Sequence, residues 1–270
     1  MADLLAGPWS EPFFVRAAAA VALCGVMCAA LGAYVVLRRM AFVSTALTHS
    51  ILPGVVGALL LGVSPYLGAL AAALLTAAGA AWLAARKGTS EDSAIGVMLS
   101  VMFAAGVALM QQANTWRDFA GLLFGSVLAV GADDLAVIGA TAAATLLALR
   151  VLHKELELAS CDEEYARLLG ARPALLRAAL LVLVALGSVA CVRLVGALLT
   201  TALFVIPAAT GVLLGRTLPQ VMAWGAGCAV LGGLGGLYLS YYAPAVPSGA
   251  GIVLCCAAPY LVARLIAPRR

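Results

Sequence analysis

Charged residues are scarce in this sequence. Asp, Glu, Lys and Arg make up 10% of its 270 residues, whereas they make up roughly a quarter of a soluble globular protein. Hydrophobic residues make up 64%, and they form repeated runs that reach the ~20 residues needed to cross a bilayer core. The ~10-residue alternating segments of a membrane β-barrel do not occur. The composition therefore excludes a soluble domain and predicts an all-α polytopic membrane protein.

Acidic residues are missing beyond Glu164, and the earlier ones lie at segment ends or in polar loops. An ion-driven transporter is expected to hold a carboxylate in mid-membrane. The sequence also lacks a phosphate-binding P-loop, an HExxH helix and a GxSxG elbow. These absences argue against secondary transport, against ATP binding by this chain and against enzymatic activity. No catalytic residue and no permanently bound cofactor is predicted.

The seven cysteines lie mostly in or near apolar runs, which argues against a secreted disulfide framework. Cys24 and Cys28 are one helical turn apart and could offer two soft metal ligands. Packing as small apolar side chains is the preferred interpretation of this pair.

Apolar runs divide the chain into eight or nine candidate spans, and Pro207 inside one of them leaves the two counts open. The segment 113–134 is too short in its apolar part to span, so we interpret it as a re-entrant or interfacial piece. No domain boundary is visible, and residues 1–270 are predicted to form one membrane domain. The candidate spans are residues 13–37, 41–62, 65–85, 93–111, 135–152, 174–192, 195–214, 219–241 and 249–266.

The basic residues set the predicted orientation. With nine spans and the N-terminus outside, only Arg16, Arg117 and Arg193 of the 16 Lys and Arg residues lie outside. Such a bias is the usual determinant of membrane topology. The net charge of +4 is thus topological, and no nucleic-acid partner is predicted.

His49 is the titratable side chain set furthest inside an apolar run, where such groups usually face a cavity. Its neutral imidazole is a good ligand for zinc or a similar divalent ion, and Thr45 lies one helical turn earlier. Pro53 lacks a backbone donor, so carbonyls near His49 and Ile51 are expected to be free to line a path. The alternative is a histidine hydrogen-bonded to a neighbouring helix.

A short amphipathic helix is predicted at about residues 160–172, inside the longest polar stretch. Ser160 or Asp162 can cap its start, and Gly170 with Pro173 ends it. Such a helix is either a docking element for a partner or a solvated connector. The residues assigned to it are Asp162, Glu163, Glu164, Tyr165, Leu168, Leu169 and Gly170.

The chain resembles the permease subunits of bacterial ABC transporters that import zinc, manganese or iron. The resemblance extends from Gly32 to Leu254, and five segments in the same order carry it. These segments are GAYVVLRRMAFVSTALTHSILPG (32–54), EDSAIGVML (91–99), DFAGLLFGSVL (118–128), SCDEEYARLLG (160–170) and VGALLTTALFVIPAAT (195–210).

The resemblance implies a type II importer fold and a bacterial inner-membrane location. It also implies a second copy of the chain, two cytoplasmic ATPase subunits that dock around Asp162–Gly170, and an extracytoplasmic protein that delivers the metal. ATP hydrolysis in the partner would drive alternating access. Glu91 and Asp92 match the family's acidic pair at the inner end of a span, where a structural role is expected.

One departure from the family pattern concerns the candidate metal ligands. The family usually reads GDALSHA where this chain reads STALTHS (44–50), so His49 is kept but Thr45 replaces an acidic residue. Threonine supplies only a neutral oxygen. Three interpretations follow: a looser metal site, which we favour, a different metal or a chelate as cargo, or a subunit that has lost coordination.

The sequence therefore leaves three functions open. The first is uptake of a divalent ion, zinc or manganese first. The second is import of a metal chelate, which suits a path without the carboxylate. The third is a membrane scaffold or sensor that anchors a partner without transporting.

Overall fold

The computed structural model describes residues 7–86, 88–113, 127–243 and 246–266, and within these ranges all regular structure is helical. Two short 3-10 segments, Gly7–Ser10 and Val127–Ala129, accompany ten α-helices. The α-helices are α1 (Pro12–Leu37), α2 (Phe42–Ser50), α3 (Leu52–Leu60), α4 (Pro65–Ala84), α5 (Glu91–Ala113), α6 (Ala132–Cys161), α7 (Glu163–Leu168), α8 (Pro173–Leu214), α9 (Leu218–Tyr242) and α10 (Ser248–Ile266).

Nine stretches of the described chain are long and apolar enough to cross a membrane, which confirms the higher of the two predicted counts. Helices α2 and α3 together form the second stretch, Phe42–Leu60, and α8 supplies two, Pro173–Val192 and Val195–Leu214. Most of the segment interpreted as re-entrant, 114–126, lies outside the described residues.

The break inside α8 lies at Gly196, next to the division between the predicted spans 174–192 and 195–214. Gly196 has φ 80° and ψ 163°, a left-handed region that a side chain would disfavour. The hydroxyl of Thr200 donates to the Gly196 carbonyl at 2.7 Å. Pro207 stays within the helix, because Ser/Thr side chains and neighbouring helices can satisfy the backbone groups that a membrane proline frees.

Helix α1 is the centre of the bundle, and it packs against α6, α8 and α9. Small residues allow these helices to approach closely, as is usual between membrane helices. A Cβ at Gly32 would lie 2.0 Å from the carbonyl oxygen of Phe204 in α8. Gly211 and Gly215, four residues apart at the end of α8, likewise lie against α9 of the same chain, so these two glycines serve packing within one subunit.

Helix α6 is longer than the predicted span 135–152, because it continues through the polar stretch to Cys161. Residues 153–160, HKELELAS, are mostly good helix formers, and the helix stops where Asp162 becomes extended. The following helix α7 is accordingly shorter than the predicted 160–172. It ends before Gly170, whose φ of 85° is a common way to end a helix.

Candidate functional site

Thr45 and His49 share the one open stripe of α2. Phe42, Thr45 and His49 are partly or fully exposed, whereas every other residue of α2 is buried. Spacings of three and four residues place these three side chains on one helical face. One imidazole and one hydroxyl therefore point the same way from the middle of the second span.

The His49 ring lies beside an aromatic side chain from another span. Its centroid is 6.3 Å from that of Phe103 in α5, and the two planes are at 89°. Within the described ranges neither ring nitrogen of His49 has a hydrogen-bond partner. None of these residues therefore supports the alternative interpretation, in which His49 is hydrogen-bonded to a neighbouring helix. The ring nitrogens are available to a ligand.

The other hydroxyls of α2 are occupied. Ser44 donates to the carbonyl of Ala41 at 3.1 Å, and Thr48 donates to the carbonyl of Thr45 at 2.9 Å. The Thr48 oxygen also lies 3.2 Å from that of Thr201 in α8. Both Ser44 and Thr48 are buried, so only Thr45 adds a hydroxyl to the open stripe.

The junction between α2 and α3 corrects one prediction. The carbonyl of Ile51 accepts from the backbone N–H of Gly54 at 3.1 Å and from that of Val55 at 3.0 Å, so the expectation of a free Ile51 carbonyl is wrong. A turn of 3-10 type adds a bond from the residue three positions later to the usual helical bond from the residue four positions later. Pro53 has no N–H for the carbonyl of His49, four residues earlier, but the backbone N–H of Ile51 is directed to that carbonyl, so the expectation of a free His49 carbonyl is wrong as well.

No group of three or more His, Cys, Asp or Glu side chains is arranged to hold a metal in the part of the chain that the structure describes. Cys24 and Cys28 are buried in the core, where the Cys28 sulfur lies 3.6 Å from that of Cys191. Sequence spacing gave no sign of Cys191. One chain thus offers Thr45 and His49 as a partly exposed pair of potential metal donors.

Helix α7 presents its apolar side chains outward. The carboxylate of Asp162 caps the helix by accepting from the backbone N–H of Tyr165 at 2.9 Å. Tyr165, Leu168 and Leu169 are 51%, 81% and 62% exposed, while Ala166 is the buried residue of the helix. An ordinary solvated connector would turn its apolar side chains inward. This exposed apolar surface, Tyr165–Leu168–Leu169, therefore has the character of a contact site.

Glu163 points away from this apolar surface and links α7 to two spans, α5 and α8, through ion pairs. Arg177, in the first turns of α8, lies 3.5 Å from the Glu163 carboxylate and 2.7 Å from that of Glu91 in α5. One guanidinium thus bridges a carboxylate of α7 and a carboxylate at the start of α5. The sequence gave no signal for Arg177, because its partners are far away along the chain.

These charges line a polar cavity of about 390 Å³ between α1, α5, α6, α7 and α8. Arg38 enters the cavity and donates to the hydroxyl of Ser160 at 2.9 Å, so Ser160 anchors α1 and does not cap α7. Burial, and then the neighbouring charge of Arg177, lower the pKa of Arg38. The cavity connects α7 with the ends of four long helices, α1, α5, α6 and α8.

Comparison with known proteins places this architecture in a family. The chain is 32% identical over 262 residues to the manganese transport system membrane protein MntC of Halalkalibacterium halodurans, a match that covers 97% of this chain and 89% of that protein. It is 31% identical over 220 residues to the chelated iron transport system membrane protein YfeD of Yersinia pestis, covering 82% and 74% of the two chains.

A solved structure agrees with the sequence matches. PsaBC from Streptococcus pneumoniae, determined in complex with a Fab, superposes with a TM-score of 0.87 at 30% identity, covering 99% of this chain and 96% of that one. The family model described as the ABC 3 transport family matches residues 10–267. The nine apolar stretches, their order and these matches agree, and the chain is a multi-pass membrane protein of the ABC 3 transport family.

Proposed function

We propose that this chain is the membrane-spanning permease subunit of an ATP-driven importer that takes up a divalent metal ion, manganese or zinc first. The observation that carries the proposal is the open stripe of α2, where Thr45 and His49 face one way and the imidazole has no partner among the described residues. An imidazole suits zinc and iron, and neutral oxygens with bound water suit manganese. The relatives named for manganese and iron transport support the same cargo class.

The ligand set becomes sufficient when two copies face each other. One chain supplies one imidazole and one hydroxyl, which is fewer than the four to six donors that zinc or manganese requires. A second copy related by a two-fold axis repeats every contributed residue. Two His49 rings and two Thr45 hydroxyls, completed by water, would then hold the ion in transit.

The energy source would act from the cytoplasmic side of the membrane. The apolar surface Tyr165–Leu168–Leu169 is the surface on which a cytoplasmic ATPase subunit would dock. Movement of α7 would reach α5 through Glu163, Arg177 and Glu91, and α5 carries Phe103 against His49. Rigid-body motion of packed helices is an established form of alternating access. An extracytoplasmic protein would deliver the ion at the opposite face of the bacterial inner membrane.

A metal chelate is the second candidate cargo. The observation that favours it is Thr45, because a neutral hydroxyl leaves the charge of a bare divalent ion without compensation. The relative named for chelated iron transport fits this candidate as well.

The test is uptake by proteoliposomes that contain this chain, its ATPase and its binding protein, with manganese, zinc and iron supplied in turn as free ions or as chelates. ATP-dependent uptake of one free ion supports the proposal, and uptake of chelates alone replaces it with the second candidate. Uptake of neither cargo indicates a scaffold that does not transport. The two histidines provide a matched pair of variants: His49→Gln should abolish uptake and His153→Gln should preserve it.

A further inference from the structure

A second cavity, of about 480 Å³, lies beside α6. Among the described residues, it shares no lining residue with the open stripe of α2 or with the polar cavity next to α7. Its lining divides into a basic part and an apolar part. The basic part belongs to one helix, α6, and the apolar part comes from α1, α6 and α9. The basic residues are Arg150, His153 and Lys154, and the others are Ala30, Leu146, Leu149, Pro219 and Met222.

The length of α6 fixes the depth of this cavity. The helix has 30 residues, so it is about 45 Å long, whereas the hydrocarbon core is only ~30 Å thick. Arg150 and Lys154 lie about 27 and 33 Å from the outer end of the helix, at 1.5 Å per residue. The predicted orientation then places both basic residues at the level of the cytoplasmic lipid headgroups.

The two long basic side chains are available to an anion. Arg150 and Lys154 are exposed, and neither forms an ion pair with any residue that the structure describes. His153 is held in place instead: its Nδ1 lies 2.5 Å from the Tyr34 hydroxyl, and its Nε2 lies 3.7 Å from the carboxylate of Glu157. The carboxylate of Glu157, one turn from His153, is therefore already engaged.

We propose that this cavity binds an anionic phospholipid of the cytoplasmic leaflet, with the phosphate between Arg150 and Lys154. Basic pockets between membrane helices on the cytoplasmic side have this specificity. Leu146 lies four residues before Arg150 and Leu149 lies five residues before Lys154, so each leucine is about one turn deeper in the membrane than one of the two cations, where the glycerol and upper acyl chain of a lipid would lie. A soluble phosphate would gain nothing from these apolar walls, so the lining selects a lipid.

The first experiment measures lipids bound to the purified chain by native mass spectrometry, with phosphatidylglycerol or phosphatidylcholine added to the detergent. We expect the wild-type chain to retain phosphatidylglycerol preferentially. Each basic residue near a membrane surface contributes about a five-fold change in affinity, so Arg150→Gln with Lys154→Gln should weaken binding about 25-fold. The matched control is Arg86→Gln with Arg264→Gln, which removes two charges from the same membrane face outside the cavity.

A second pair of variants tests the cavity itself without changing charge. Met222→Trp fills the cavity wall and should displace the lipid, whereas Leu231→Trp adds the same bulk on the exposed face of α9 and should not. Equal retention of the two lipids, an equal loss in both double variants, or retention of phosphatidylglycerol by Met222→Trp would each overturn the proposal. Displacement of the lipid by millimolar inorganic phosphate would overturn it in favour of a soluble anion.

Discussion

Arg177→Met tests whether the bridge between α7 and α5 is energetically significant. The substitution keeps an unbranched apolar stem and removes the cation. The Arg177 side chain is 21% exposed and that of Glu91 is 31% exposed, so the pair lies between two limits. Exposed pairs contribute ~0–1 kcal/mol, and breaking a buried pair costs ~3–5 kcal/mol. We expect Arg177→Met to lower stability by about 2 kcal/mol, because Glu91 loses its ion-pair partner while Glu163 keeps its pair with Arg167.

A double-mutant cycle separates the pair from the general effect of the substitution. Arg177→Met combined with Glu91→Gln should show a coupling energy of about 1–2 kcal/mol in thermal unfolding of the detergent-solubilised chain. Glu164→Gln is the matched control: Glu164 has the same side chain as Glu163, is exposed and has no ion pair among the described residues. Its coupling with Arg177 should be within about 0.5 kcal/mol of zero.

The same variants test the proposed mechanical link in proteoliposomes. If Arg177 transmits movement from α7 to α5, Arg177→Met should reduce the metal transported per ATP hydrolysed while ATPase assembly persists. Glu164→Gln should leave this ratio unchanged. Additive energies in the cycle would refute the structural reasoning, and a normal transport ratio with a measurable coupling energy would refute only the link.

Five further substitutions test the described contacts. His49→Ala should abolish metal uptake without loss of membrane insertion, and unchanged uptake would remove His49 from the path. Thr45→Asp should tighten divalent binding at least ten-fold in isothermal titration, and an unchanged affinity would show that residue 45 does not face the ion. Leu168→Glu should prevent co-purification of the ATPase, and a stable complex would contradict docking on α7. Gly32→Ala should unfold the chain because its Cβ would meet a backbone oxygen at 2.0 Å, whereas Gly57→Ala, with open space around it, should stabilise α3 by about 0.5–1 kcal/mol.

The spans and the short helix α7 could be predicted from the sequence because their determinants are local. The length of a single apolar run can be compared directly with the bilayer thickness. Asp162 and Gly170, which set the two ends of α7, lie within nine residues of sequence. The shared face of Thr45 and His49 follows from helical spacing alone. The predicted span ends too early, at Leu152, because the polar residues after it resemble a loop. None of them breaks a helix, so α6 continues to Cys161.

The remaining features depend on contacts that no local pattern encodes. Arg177 meets Glu91 only because α8 and α5 converge at one side of the bundle, and Cys191 meets Cys28 by the same kind of convergence. Proline usually interrupts helices, so Pro207 leaves the span count open, although the predicted spans 174–192 and 195–214 already divide α8 close to its break. The break occurs at Gly196, where the backbone takes a conformation that glycine alone adopts readily.

The charge of the side chain at position 45 distinguishes the two candidate cargoes, because a free divalent ion and an anionic chelate carry opposite charges. A carboxylate at this position in each of two copies would give a path charge of about −2 and would offset a bare divalent ion, since uncompensated charge in a low-dielectric site is costly. Thr45 removes that offset, so a free ion would have to pass with bound water that hydrogen-bonds to the hydroxyls. A neutral or anionic chelate needs no such offset and would be repelled by carboxylates. Thr45→Asp should therefore raise uptake if the cargo is a free ion and lower it if the cargo is an anionic chelate.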